Sequence, residues 1–75
     1  MALRLGECLL RRIRENRGLT QVGLSEALYD KFGISISDSI LSKYERGKKY
    51  PNPLVSRAIC LTLGCNESDL YEFLE

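Results

Sequence analysis

A chain of 75 residues has the length of one small domain, 1–75, that buries only about 60% of its unfolded surface, which leaves little room for a deep catalytic cleft. Its 44% apolar and 28% charged residues are the balance of a globular chain, and no stretch approaches the roughly 18 apolar residues of a membrane span. Net charge is only +1 but unevenly spread: residues 1–17 carry five arginines against two glutamates, residues 37–57 carry five basic residues against two acidic ones, and residues 58–75 carry four acidic residues and no base.

Leu5, Leu9 and Ile13 recur every four residues among charged neighbours, which predicts an amphipathic first helix over about 3–16. The arginines within this stretch exclude a secretory signal. Asn16-Arg17-Gly18 ends it, with Gly18 suited to the left-handed position past a helix end.

Thr20 offers its hydroxyl as the cap of a second helix whose apolar stripe is Leu24, Ala27, Leu28 and Phe32. Gly23 stands where a capping box needs a glutamate, so no box is expected. Phe32 lies one turn beyond Leu28, so this helix is expected to continue through Tyr29 to Phe32 and to stop at Gly33. Ile34 and Ile36 would then tuck the following turn onto the core. Ser37 caps a third helix, Asp38 in its first turn complements the helix dipole, and Ile36 with Leu41 has the spacing of a hydrophobic staple. Ile40, Leu41 and Tyr44 form its apolar face, and Gly47 ends it.

KKYPNP reads as loop. Asn52 caps a fourth helix over about 53–63, Pro53 fills its first position and Gly64 stops it. Asn66 caps a fifth, with Glu67 and Asp69 in its first turn and Leu70, Phe73 and Leu74 as its stripe. No segment alternates with period two over useful length. The fold class expected is all-α, a compact bundle of five short helices.

A third helix that restarts across a turn with its N-terminus outward has the size to enter the major groove of DNA, roughly 12 Å wide. The basic blocks on one side of the acidic tail suit a polyanion, although solvated helix faces account for charge of this kind equally well.

The segments LRRIRENRGLTQ, LSKYERG and LTLGCNESDLYEFL together resemble the lambda-repressor-like helix-turn-helix family, the XRE family that contains Cro and the phage repressors. The resemblance covers nearly the whole chain. It implies a five-helix bundle with helices two and three as the DNA-binding pair and sequence-specific binding to double-stranded DNA. It also implies a small, repressor-like regulator that places helix three, about 37–46, in the major groove. By that resemblance Asp38, Ser39 and Lys43 face the base edges. Thr20, Gln21, Ser37, Ser42, Arg46, Lys48 and Lys49 contact the phosphate backbone, and Arg14 pairs with Glu45 to lock helix one to helix three.

Elementary chemistry bears on several of these positions. Lys43 falls one turn after Ser39, so both share a face, and lysine donates to guanine O6 and N7. Asp38 stands where many relatives carry glutamine: it is either a cytosine contact through N4 or only a first-turn carboxylate. Lys48 and Lys49 are either phosphate contacts or a solvated turn, and Lys31 is open to the same two readings.

The interval from Thr20 to Glu45 is longer than in the compact bacterial members, the extra chain being YDKFGI, Tyr29 to Ile34. The longer connection resembles that of POU-specific domains and leaves helix three whole. The run AICLTL, Ala58 to Leu63, is apolar nearly all round, so its outer side needs cover from helix five or from a second subunit. The latter implies a homodimer through helices four and five on a near-palindromic site.

With no histidine, and with Cys8, Cys60 and Cys65 lacking C-x-x-C spacing, no metal, cofactor or catalytic centre is expected. The free thiols fit a reducing compartment, cytoplasmic or, in a eukaryote, nuclear. A protein-interaction module on the same scaffold, without operator binding, is the alternative that near-neutral charge and Asp38 favour.

Overall fold

The computed structural model describes residues 4–74, with side chains over 8–71. Five helices follow one another: α1 (Leu10–Asn16), α2 (Gln21–Phe32), α3 (Asp38–Glu45), α4 (Pro53–Leu63) and α5 (Glu67–Leu70). A strand precedes them, β1 (Arg4–Cys8), and another follows, β2 (Tyr71–Leu74). The two strands pair antiparallel with Arg4 opposite Leu74, Leu5 opposite Phe73 and Cys8 opposite Tyr71, and the register slips between Leu5 and Cys8.

The five-helix bundle is the expected fold, and the ribbon that closes it corrects two boundaries. The first helix begins at Leu10 rather than near residue 3, and the fifth ends at Leu70 rather than running through Phe73 and Leu74. Leu10, at 2% exposure, is the fully buried apolar residue of α1, Ile13 of the predicted stripe packs half-buried against the core, and the side chain of Leu5 lies outside the described residues. Two features account for the change. Gly6 lies inside the proposed helix, where glycine costs roughly 1 kcal/mol relative to alanine. Tyr71 and Phe73 alternate over a strand too short to register as a period, and their pairing partner lies at the far end of the chain. The backbone N–H of Leu9 donates to the carbonyl of Leu70 at 2.6 Å, so the ribbon is tied at its base to the ends of α1 and α5.

Local capping sets the other boundaries. Thr20 Oγ1 accepts from the N–H of Gly23 at 2.9 Å, Ser37 Oγ from Ile40 at 3.3 Å, and Asn52 Oδ1 from Val55 at 2.9 Å. Each satisfies one of the donors that a helix start leaves unpaired. At α5 the closure runs the other way, with Asp69 Oδ2 accepting from the N–H of Asn66 at 3.0 Å. Gly33, at φ 66°, and Gly64, at φ 72°, end α2 and α4 in the left-handed region, which side chains other than glycine adopt at a cost.

The core is one cluster. Leu24 and Leu28 of α2, Leu41 and Tyr44 of α3, and Val55, Ala58, Ile59, Cys60 and Leu63 of α4 meet Leu10 and Leu70. Burial of each large aliphatic side chain contributes roughly 1.5–3 kcal/mol against the entropy of ordering the chain. Ile34 and Ile36 pack against this cluster and draw the α2–α3 connection onto it. The hydroxyl of Ser25 donates to the carbonyl of Ile36 and pins that connection to α2. Phe32 departs from its expected place in the apolar stripe: it is 42% exposed, because α2 there has run past the core.

Candidate nucleic-acid interface

The connection from Gly33 to Ser37 leaves the start of α3 at the surface. Leu41 and Tyr44 face inward, buried to 0% and 4% exposure, and this orients the helix. Asp38, Ser39 and Lys43 are consequently all exposed, and Ile40 and Ser42 are half-buried beside them. Ser39 and Lys43 are four residues apart and share one face. Asp38 follows the cap directly, as the carboxylate of the first turn.

The flanks of that face are basic or hydrogen-bonding. Arg46, Lys48 and Lys49 are exposed beyond the C-terminus of α3. Thr20 is exposed at the start of α2, with Gln21 half-buried next to it, and Ser37 is exposed at the start of α3. The oxygens of Thr20 and Ser37 both accept cap bonds, which leaves each hydroxyl proton free to donate outward.

Behind this surface lies a network that fixes α1, α2 and α3 to one another. Arg14 Nε donates to Glu45 Oε2 at 2.8 Å and Arg14 Nη2 to Oε1 at 3.3 Å, while Nη1 reaches the carbonyl of Leu19 at 2.7 Å. Gln21 Nε2 donates to the same Glu45 Oε1 at 3.2 Å. The two charged side chains are only 9% and 5% exposed. The hydrogen bond and charge of Glu45 hold the Arg14 guanidinium above its ordinary pKa, outweighing burial, so the guanidinium stays charged. The structure thus joins Arg14 and Glu45 as the resemblance implies, and Gln21 donates to the same carboxylate.

Residues 10–70 match the model of a family described as helix-turn-helix. The chain belongs to that family. The match includes all five helices and makes the chain a DNA-binding helix-turn-helix protein of the XRE, Cro and phage-repressor type. A comparison with curated proteins found no match.

Within this helix-turn-helix unit two surface hollows differ in charge. One, of about 390 Å³, lies beside the stretched α2–α3 connection and presents Glu26 and Asp30. Two carboxylates there oppose a polyanion. The other, of about 320 Å³, is lined by Arg11, Arg14, Gln21, Ser42, Glu45 and Arg46. Of the two hollows, the one between α1, the start of α2 and the end of α3 is thus the basic one, with three arginines against one glutamate.

Two side chains with a part in this architecture escaped the sequence reading. Arg17 Nε donates to the carbonyl of Leu63 at 2.7 Å and closes the end of α4. Arg11 lines the basic hollow. Its spacing of three residues before Arg14 places both on one helix face, which is the signal that could have singled it out.

Among the described residues no helix is long and apolar enough to cross a membrane, and no group of three or more His, Cys, Asp or Glu side chains could hold a metal ion. The Cys60 thiol is pushed up to about 12, chiefly by burial and further by the Cys65 thiol beside it, so it is a protonated core group rather than a nucleophile.

Proposed function

We propose that the chain is a sequence-specific regulator of transcription, repressor-like, that acts by occupying an operator in double-stranded DNA. In this reading α3 enters the major groove. Lys43 donates to guanine, Ser39 makes a permissive contact on the same face, and Asp38 accepts from cytosine N4. Thr20, Gln21, Ser37, Ser42, Arg46, Lys48 and Lys49 hold the neighbouring phosphates. The observation that carries the proposal is the joint exposure of Asp38, Ser39 and Lys43 on a helix whose opposite face is locked into the core by Leu41 and Tyr44.

A second copy completes the unit. Leu54 and Leu61 lie seven residues apart on α4, so they share a face, and they are 72% and 52% exposed. Two such faces packed about a two-fold axis would set two α3 helices roughly 34 Å apart and read a near-palindrome. The work of the protein then lies wherever its DNA is, in the cytoplasm or in a nucleus.

Selection of bound duplexes from a random pool tests this reading. A recovered consensus with two inverted half-sites about one helical turn apart is the expected result. Recovery of no preferred sequence, together with binding that does not weaken as salt rises, would favour a protein-interaction module on this scaffold.

A further inference from the structure

We propose that the hollow between α1, α2 and α3 is the seat of a single backbone phosphate, clamped between Arg11 and Arg46; the proposal rests on the DNA-binding reading above. Three observations meet there.

The first is charge. Arg14 and Glu45 neutralise each other at the floor, which leaves the guanidinium groups of Arg11 and Arg46 as the free charge of the rim. Arg11 does touch Glu15, at 3.6 Å, but both side chains are more than half exposed, 70% and 55%. A pair of that kind is held weakly and gives way to a better anion.

The second is the supply of donors. Gln21 spends one amide hydrogen on Glu45 and keeps the other, Ser42 keeps its hydroxyl proton, and Arg46 spends only Nε, on the carbonyl of Ser42 at 3.4 Å. Both remaining guanidinium forks match the tetrahedral oxygens of a phosphodiester.

The third is the saturation of acceptors. The two oxygens of Glu45 are already taken, Oε2 by Arg14 and Oε1 by Arg14 and Gln21. The one carboxylate of the hollow is therefore masked and does not repel an incoming anion at its full charge. Arg11 belongs to α1, so the clamp would tie the first helix to the DNA, across the same cleft that Arg14 and Glu45 bridge from beneath.

The test is a salt titration of binding to the selected duplex by the wild type, Arg11→Gln, Arg46→Gln, the double variant and Arg12→Gln. Arg12 is exposed on the same helix and does not line the hollow. The expected result is that Arg11→Gln weakens binding severalfold more than Arg12→Gln does. The double variant should lose about 0.9 in the slope of log K against log salt, the value for one phosphate. Glu15→Gln, which releases Arg11, should tighten binding, and should do so less when Arg11 is already glutamine.

A double-variant loss of about 1.8 means two separate phosphates and overturns the shared seat. Equal effects of Arg11→Gln and Arg12→Gln overturn it as well. Failure of the wild type to bind any duplex overturns the DNA-binding reading and this seat with it, whereas the other two outcomes leave that reading intact.

Discussion

The guanidinium of Arg14 donates to Glu45 across 31 positions of sequence, at 2.8 and 3.3 Å, with both side chains nearly buried. It is the polar joint between α1 and α3, and it lies directly behind the helix proposed to read DNA. A buried pair of this kind gives weak net stability when formed and costs heavily when halved, because the survivor is left charged and unpaired.

Arg14→Ala therefore leaves Glu45 buried with only Gln21 as donor. The expected loss is about 3–5 kcal/mol of folding stability, read as a lower urea midpoint. Sequence preference, measured on whatever protein remains folded, should stay unchanged. A variant as stable as the wild type but blind to sequence would contradict the bracing role.

Lys43→Ala removes a side chain exposed on the outer face of α3. Affinity for the preferred duplex should fall by about 1–3 kcal/mol, and one base position should become tolerant of substitution. Equal losses on every sequence would make Lys43 a phosphate contact instead. Competition binding against a panel of single-base variants separates the two.

Leu54→Glu with Leu61→Glu places two charges on the exposed face of α4. Since both positions are more than half exposed, the folded monomer should be little affected. Analytical ultracentrifugation is expected to show a dimer for the wild type and a monomer for the double variant, with loss of cooperative binding to the two half-sites. An unchanged sedimentation profile would place any dimer contact elsewhere.

Stability should fall in alkali. Burial raises the pKa of Cys60, Cys65, Tyr44 and Tyr71 alike, so each is more readily deprotonated in the unfolded chain. For Cys60 the contribution is complete below its ordinary value of 9.0 and is lost as pH rises towards about 12. The urea midpoint should decline between those values, and more shallowly in Cys60→Ala. A flat profile over that range would show that these groups remain hydrated in the folded state.

The helix boundaries that depend on neighbouring residues were legible in the chain itself. Thr20, Ser37 and Asn52 cap because a hydroxyl or amide oxygen reaches an N–H three positions on. Gly33 and Gly64 stop helices because only glycine enters the left-handed region cheaply. The reach of α2 to Phe32 and the inward packing of Ile34 and Ile36 followed from the same local chemistry, and so did the exposed face of α3. The partnership of Arg14 with Glu45 came instead from resemblance to a family, since nothing local joins residues so far apart.

Features that depend on such separations were set by packing alone. Residues 4–8 are helical in their periodicity and extended in fact, because β2 at the other end of the chain completes their hydrogen bonds. Phe32 has the spacing of a core residue and is exposed, because the core does not extend that far. Arg11 and Arg46 border one hollow because Arg14 and Glu45 draw two helices together beneath them. Caps and stops act over three or four residues and can be read along the chain. A ribbon register or a shared anion seat exists only once packing has brought distant residues within a few ångströms.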